Sequence, residues 1–322
     1  MTRQARARER GFTLIELMIS LVLFGLVVAG TFQLAITMAA GFREQQMTVA
    51  AEGSVRSAME MMSEAMRGVS PGVPVGNIQH VNTCATGALS VTNSATAPDQ
   101  VTAVFASGSV VTSSRTAYEA GSLSLTVDNA TQLAVGDTVL ITNLDQGHLA
   151  TITSVNAASG VLGLAAQSCG SLALPVAGYG AGSLVLRATR ATFSVGTVDS
   201  MPTLMLDPDA EGPAAAEPFA EGVEDLQIAV GIDTNGDGAL TEVGTSANDD
   251  EWSFNVAGET LPAGALRAVR VTMVARTTGR RANAGGYRRP AAGDRPAATA
   301  TDGYRRRTLT STVEIRNLEG SP

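Results

Sequence analysis

The chain has 322 residues, of which 44% are apolar and 16% charged, and its formal net charge is −8. This acidic balance argues against nucleic-acid binding as the main role. With two histidines, no nucleophile motif and no metal-ligand set at the usual spacing, the sequence predicts that the protein is not an enzyme.

An apolar segment at residues 11–41 is the first predicted element. Between residues 14 and 40 its only ionisable side chain is Glu16, and its length exceeds the about 20 residues that an α-helix needs to cross a bilayer. Four arginines and one glutamate precede it, so the positive-inside rule places the N-terminus in the cytoplasm. The segment is therefore predicted to span a membrane, with the rest of the chain on the outer side.

Glu16 is the unusual residue of this segment. A charged side chain inside a membrane helix costs about 2.5–3.5 kcal/mol, which makes Glu16 a functional candidate that needs a partner. Cleavage between Gly11 and Phe12 would create a cationic amine one helical turn away, in the same chain or in a neighbouring one. The alternative is an ordinary membrane anchor in which Glu16 reaches the interface.

Helical periodicity continues beyond the membrane segment. Apolar residues recur at steps of three and four from Met47 to Val69, and charged residues occupy the other faces. The helix is predicted to end near Ser70, before a proline and a glycine. Its second half needs a partner to cover it, and the β-rich remainder is the available one.

Period-two patterns predict β-strands in the remainder of the chain. Residues 95–182 contain several short strands separated by turn residues and are predicted to form an inserted β-subdomain. A second, antiparallel sheet is predicted from strands at residues 183–195, 203–207, 223–232, 266–276 and 309–317. One face of this sheet is expected to be exposed and the other to pack on the helix. The predicted fold class is α+β.

Two regions of the sequence resemble the type IV pilin superfamily. The run from Gly11 to Glu16, GFTLIE, followed by an apolar helix resembles the processing site of type IV pilins and type II secretion pseudopilins. The C-terminal strands at residues 222–317 resemble PilW-type minor pilins, which are related to pseudopilin J of type II secretion. The resemblance implies the pilin fold, a long N-terminal helix packed on an antiparallel β-sheet head.

The resemblance also implies a processing scheme. A prepilin peptidase would cleave after Gly11, Phe12 would be N-methylated, and Glu16 would set the assembly register. The implied segments are a leader at residues 1–11, a helix at 12–70 that spans the membrane at 12–41, and a periplasmic head at 71–322.

The implied function is that of a minor pilin in type IV pilus assembly, in a tip or priming complex, with twitching motility among the processes served. The implied partners are other minor and major pilins, the prepilin peptidase and the inner-membrane assembly platform; no nucleic acid is expected. The protein would start in the inner membrane and later reach the pilus and the cell surface. The alternatives are a type II secretion pseudopilin, a pilus-tip adhesive subunit and a membrane-tethered enzyme or carbohydrate-binding module displayed outside the cell.

The two cysteines are candidates for a disulfide. Cys84 and Cys169 both lie on the outer side by the predicted orientation, where an oxidising compartment permits the bond. The bond would tie the base of the predicted insertion. Two unrelated buried thiols are the alternative.

Residues 233–238, with the sequence DTNGDG, match the start of an EF-hand calcium loop, with oxygen donors at loop positions 1, 3 and 5 and glycine at position 6. The candidate ligands are Asp233, Asn235, Asp237 and Glu242, with Asp249, Asp250 or Glu251 as alternatives to the last. Glycine replaces the usual glutamate at loop position 12. A hairpin turn is the favoured interpretation, because Asn-Gly and Asp-Gly suit such turns. No other cofactor is predicted.

Arginines and tyrosines cluster near the C-terminus. They are Arg280, Arg281, Tyr287, Arg288, Arg289, Tyr304, Arg305, Arg306 and Arg307. A basic loop with aromatic residues suits DNA or acidic glycans. Because the whole chain is acidic, docking on an acidic neighbouring subunit is the favoured interpretation.

Overall fold

The computed structural model describes residues 12–70, 73, 78–80, 87–119, 122–166, 178–210, 214–242, 251–254, 265–280 and 286–315. The chain divides into two compact units, Met1–Val49 and Ala50–Pro322. The fold is α+β, with one long helix followed by mostly antiparallel strands that form two sheets within the described residues.

The helix α1 spans Leu14–Arg67, which confirms the predicted continuous helix. Side chains from Phe12 to Arg43 are exposed. From Ala51 onward the helix has a buried stripe at helical spacing, formed by Ala51, Val55, Ala58, Met59, Met62, Ser63 and Met66. The helix ends at Arg67, and Ser70 beyond it adopts a left-handed backbone conformation with φ of 58°. Pro71, which cannot donate a helical hydrogen bond, follows in the sequence.

Ten strands form the first sheet. They are β1 (Ile78–His80), β2 (Leu89–Thr92), β3 (Gln100–Ser113), β4 (Ser124–Thr126), β5 (Thr138–Thr142), β6 (Gly147–Asn156), β7 (Val161–Leu164), β8 (Leu184–Val198), β9 (Met201–Asp207) and β10 (Glu217–Glu221). The second sheet has the order β12-β11-β13-β14. Its strands are β11 (Val223–Asp233), β12 (Trp252–Ser253), β13 (Ala265–Arg276) and β14 (Arg306–Glu314).

The long strand β8 organises the first sheet. One of its edges pairs with β3, and its other edge pairs first with β5 and then with β9. The prediction that residues 183–195 and 203–207 belong to the second sheet is therefore wrong. Alternation of apolar and polar residues indicates which faces of a strand are buried, but it does not identify the neighbouring strand.

The segment that connects β3 to β8 begins and ends at adjacent positions of the first sheet. The Ser114 amide donates to the Ser183 carbonyl at 2.8 Å, and the Gly182 amide donates to the Ser114 carbonyl at 2.7 Å. In the sequence, residues 115–182 therefore connect two paired strands. The predicted insertion at residues 95–182 also included residues 100–113, which form β3 itself. Because β5 from this segment pairs directly with β8, the insertion shares its sheet with the rest of the chain.

Two hydrophobic cores lie on the two faces of β5 and β6. Leu140 and Leu149 belong to the first core, which also contains Met62 of α1 and residues of both sheets. Val139, Ile141, Ala150 and Ile152 belong to the second core, which is formed by residues between Tyr118 and Val185. Neighbouring residues of one strand thus point into different cores.

Strand β13 of the second sheet is covered on both faces, contrary to the prediction of an exposed face, whereas Thr308, Thr310 and Thr312 of the edge strand β14 are exposed. On β13, Val271 and Met273 belong to the first core, and Thr272 and Val274 on the opposite face are buried as well. The chain near Gly293 approaches this opposite face so closely that a Cβ atom on Gly293 would lie 2.7 Å from the Cβ of Gln227. The arginine-rich segment therefore packs on the face that was expected to be exposed.

Candidate functional site: the first helical turn and the charged loops

The helix begins with reciprocal hydrogen bonds between Thr13 and Glu16. The Glu16 carboxylate accepts from the Thr13 amide and from the Thr13 hydroxyl, each at 3.2 Å. In return the Glu16 amide donates to the Thr13 hydroxyl oxygen at 3.3 Å. This is a capping box, with Thr13 at the N-cap and Glu16 at the third helical position. Glu16 therefore has a partner within its own helix before any neighbouring chain is present.

Phe12 lies directly before the cap and is exposed. Gly11 and the rest of the predicted leader lie outside the described residues. The structure places Phe12 and Glu16 at the same end of α1, as the proposed amine–carboxylate pair requires. Cleavage, methylation and the register role of Glu16 stay predictions.

The first unit carries a largely apolar surface. Its large apolar side chains between Phe12 and Phe42 are exposed, among them Leu21, Phe24 and Phe32. The helix is long and apolar enough to cross a membrane, since its most apolar window has a mean hydropathy of 2.3. Together with its position near the N-terminus, this supports membrane anchoring.

The Asp-rich loop is closed by hydrogen bonds and by an arginine. The buried Asp233 carboxylate accepts from the amides of Gly236 at 2.6 Å and Gly238 at 2.9 Å. The Arg267 guanidinium lies 3.2 Å from the same carboxylate. The loop therefore curls as an EF-hand start would, but a guanidinium supplies the positive charge at its first acidic residue.

The other candidate calcium ligands also have partners. Both carboxylate oxygens of Glu242 accept from Arg270 at 2.8 Å, and these hydrogen bonds lower the pKa of Glu242. Asn235 donates to Asp237 at 3.2 Å across the turn. Backbone hydrogen bonds from Thr241 and Thr234 lower the pKa of Glu251 to about 2.

In the structure, the side chains of Asp233, Glu242 and Glu251 bind donors of the chain itself. Within the described residues no three His, Cys, Asp or Glu side chains form a group that could hold a metal ion. Asp249 and Asp250 lie outside the described residues. The geometry supports the hairpin-turn interpretation, and calcium binding stays a prediction.

The arginine-rich segment carries a buried ion-pair network. Arg289 and Arg295 each place a guanidinium nitrogen 2.9 Å from a different oxygen of Asp225, whose side chain is fully buried. Arg289 also donates to the carbonyl oxygens of Pro290 and Pro296. These contacts hold residues 286–302 on the outer face of the second sheet.

Most of the other described arginines of this cluster are also engaged within the chain. Arg306 is nearly buried and pairs with Glu224 and Asp302, each at 2.6 Å, which lowers the pKa of Asp302. Arg307 pairs with Glu52 of α1 at 2.7 Å. The remaining contacts stack arginine on tyrosine rings: Arg276 and Arg280 on Tyr304, and Arg305 on Tyr287.

The predicted docking or ligand-binding role of this cluster therefore has little support in the described residues. Arg288 is exposed, and Arg281 lies outside the described residues. Cys84 and Cys169 also lie outside them, so the disulfide stays a prediction.

Two features escaped the sequence analysis for different reasons. The capping box had a readable signal, because Thr13 and Glu16 stand in the Thr-x-x-Glu pattern that marks a helix start. The Asp225 network had none, because its arginines are 64 and 70 positions further along the chain. Such a distant pair of charges has no periodic pattern that a sequence could reveal.

Comparison with known proteins gives matches at both ends of the chain. Residues 192–317 match the family model described as type IV pilus-assembly protein W, PilW. Residues 6–32 match the model of the prokaryotic N-terminal methylation motif. The search of curated proteins found no match.

Among solved structures, a type IV-like pilin from Thermus thermophilus aligns with 11% identity over 83% of this chain and 96% of its own, with a TM-score of 0.34. At this TM-score the alignment does not establish a shared fold. The two family models match the same two regions that resemble pilins in the sequence. Residues 192–317 are thus similar to PilW and residues 6–32 to the N-terminal methylation motif, and these matches support a PilW-like type IV pilin.

Proposed function

We propose that this chain is a minor pilin that helps to start type IV pilus assembly, as part of a tip or priming complex. A prepilin peptidase removes residues 1–11, and the new N-terminus at Phe12 is methylated. Before assembly the protein is held in the inner membrane with its head in the periplasm. It then joins other minor and major pilins through the inner-membrane assembly platform and reaches the cell surface with the pilus.

The observation that carries this proposal is the exposed apolar half of α1 with one carboxylate in its first turn. Helices of this kind bury their apolar surfaces against a bilayer or against one another. Beside a neighbouring helix, the Phe12 amine and Glu16 form an ion pair where water is excluded. Such a pair aligns the two chains, because any shift along the axis leaves a charge without its partner.

The capping box offers a competing explanation for Glu16, and the two explanations can be separated. Glutamine at the third helical position also completes a capping box, but it carries no charge. Glu16→Gln therefore keeps the cap and removes the charge. Thr13→Ala removes the hydroxyl of the cap and keeps the charge.

The test measures how much of each variant enters purified pili, relative to its amount in the inner membrane. We expect Glu16→Gln and Glu16→Ala to lower incorporation by about tenfold or more, as the loss of a pair in apolar surroundings implies. Thr13→Ala is expected to stay near the wild type, and all three variants should insert into the membrane. If Thr13→Ala reduces incorporation and Glu16→Gln does not, Glu16 acts as a cap and the register role is wrong.

N-terminal sequencing of the membrane-extracted protein tests the processing step directly. The expected first residue is a methylated Phe12. A mature chain that still starts at Met1, in cells with an active prepilin peptidase, would contradict the proposal. Deleting the gene and measuring pili and type II secretion separately distinguishes the pseudopilin alternative.

A further inference from the structure

The strand β14 forms the outer edge of the second sheet. Just before the strand, the Arg305 carbonyl accepts from the Thr277 amide at 2.9 Å. Just after it, the Ile315 amide donates to the Arg267 carbonyl at 2.9 Å. In an antiparallel ladder such hydrogen-bonded positions alternate, so the odd-numbered residues of β14 bond to β13. The outward-facing amides and carbonyls belong to Thr308, Thr310 and Thr312.

The middle of this edge lacks the features that usually protect an exposed strand. Natural edges carry charged side chains, especially lysine, or a proline, a bulge or a short strand, each of which opposes pairing with another chain. The β14 strand has nine residues, RRTLTSTVE. Its charged residues Arg306, Arg307 and Glu314 lie at its two ends, and its middle has neither a charge nor a proline. Its pairing with β13 is continuous, whereas the β3–β8 and β11–β13 pairs contain register shifts. Within the described residues, the open side of β14 is thus a regular template for another strand.

A groove of about 760 Å³ lies between this edge and α1. Leu309 and Ser311 form its wall on the strand side. The helix side carries a stripe of charges with basic ends and an acidic middle, formed by Arg56, Glu60, Glu64 and Arg67. A strand added to β14 would place every second side chain against this stripe. The groove therefore suits polar side chains on the added strand, with acidic groups near the ends of the stripe and basic or hydroxyl groups near its middle.

A second β14 strand does not complement this groove. Two β14 strands paired antiparallel would be related by a two-fold axis perpendicular to the sheet, so the same face of each strand would lie on the side of α1. The second strand would then present Leu309, Ser311 and Val313 to the charged stripe. These uncharged side chains do not match the charges of the stripe, so the occupant is a strand of different sequence.

We propose that the open edge of β14 and its groove bind an extended strand from another subunit of the pilus-assembly complex. This inference rests on the proposed function, because it assumes that the chain assembles with other pilins. The main-chain groups of Thr308, Thr310 and Thr312 provide the hydrogen bonds, and the charged stripe on α1 selects the partner. Strand addition of this kind gives affinity through the backbone and specificity through alternate side chains.

Proline at position 310 tests the pairing in the full-length protein. Because the Thr310 amide points outward, Thr310→Pro removes a donor from the open edge and no hydrogen bond to β13. The matched control is Thr310→Val, which keeps the amide and loses the hydroxyl that lies 3.1 Å from that of Thr272. We expect Thr310→Pro to lower recovery in purified pili about tenfold, and Thr310→Val to match the wild type. Equal recovery of both variants would overturn the proposal.

A second measurement does not depend on how the proline variant folds. Amide hydrogen exchange of residues 308–314 is compared between the wild-type protein purified alone in detergent and the same protein in purified pili. Slower exchange in pili supports strand addition, and equal exchange in both states overturns it. If the wild-type protein is absent from pili, the proposed function itself has failed, which is a separate outcome from a present protein with an unprotected β14.

Discussion

The two hydrophobic cores of the second unit lie on opposite faces of β5 and β6. The buried polar groups near them are of different kinds. Beside the first core, the buried Asp225 carboxylate pairs with two arginines, Arg289 and Arg295. In the second core, His148 and Tyr179 form a buried pair whose ring nitrogen and hydroxyl oxygen lie 2.5 Å apart. Burial lowers the pKa of His148 to about 4, so this pair is neutral at physiological pH.

The difference between the Asp225 ion pairs and the His148–Tyr179 pair predicts how each core responds to mutation and to acid. A buried ion pair depends on all its members, because removing one leaves an uncompensated charge. A neutral pair has no charge that needs a partner. It is destabilised only when the pH is low enough to protonate His148. The first core should therefore be more sensitive to mutation of its charges, and the second to acid.

The largest effect is expected from Asp225→Ala. Removing this carboxylate leaves Arg289 and Arg295 without their counter-charge and should lower the free energy of unfolding by about 3–5 kcal/mol. The control is Glu242→Ala, which breaks the more exposed pair with Arg270 and should cost about 0–1 kcal/mol. Denaturant unfolding of the full-length protein in detergent measures both. Equal losses would mean that the buried network contributes no more than a surface ion pair.

Adjacent residues of β5 allow each of the two cores to be perturbed separately. Leu140 and Ile141 are both fully buried but belong to the first and second core, respectively. Alanine at either position should cost about 2–5 kcal/mol. By hydrogen exchange, Leu140→Ala should loosen the amides of α1 between Val55 and Met66, whereas Ile141→Ala should loosen residues 118–164 and leave α1 protected. The same exchange pattern in both variants would show that the two cores act as one.

The smallest expected effect is a difference in pH dependence. Burial raises the pKa of Asp99 from 3.8 to about 6, while burial lowers that of His148 from 6.5 to about 4. Between pH 3.8 and 6 the folded state binds more protons at Asp99 than the unfolded state, so acidification stabilises this site. Between pH 4 and 6.5 the unfolded state binds more protons at His148, so acidification destabilises the second core.

Hydrogen exchange across this pH range measures the two responses separately. The Ile228 amide, which donates to Asp99 at 2.8 Å, reports on the first site, and the amides of β6 report on the second. Asp99→Asn and His148→Gln should each remove the pH response at their own site alone. A response of the same sign at both sites in the wild type would contradict the contrast between the cores.

Local patterns predicted much of this fold. The extent of α1 and the positions of most long strands could be predicted, because a period of 3.6 or 2 is visible within one segment. The sheet to which β8 belongs could not be predicted, because its pairing with β3 and β5 depends on contacts between distant parts of the chain. The outer face of β13 was mispredicted because its cover, the segment around Arg289, looks like a solvated basic loop in the sequence.

Of the candidate site, the sequence supplied the residues but not their partners. Glu16 and Phe12 were identified from the apolar segment, yet the hydrogen bonds that Thr13 makes with Glu16 became clear only in the structure. For Asp233 and Glu242, the spacing offered calcium as an alternative to the favoured hairpin turn, and the structure pairs both carboxylates with arginine side chains. Carboxylates spaced for a metal ion are equally well spaced for guanidinium groups.

The division of β5 and β6 between two cores limits how this protein can be shortened. Removing residues 115–182 would leave the sheet without Leu140 and Leu149, and the space they fill against Met62 and its neighbours would open to water. A smaller relative that lacks this segment would need other apolar side chains at those places. Gain or loss of the segment therefore requires compensating substitutions in the first core.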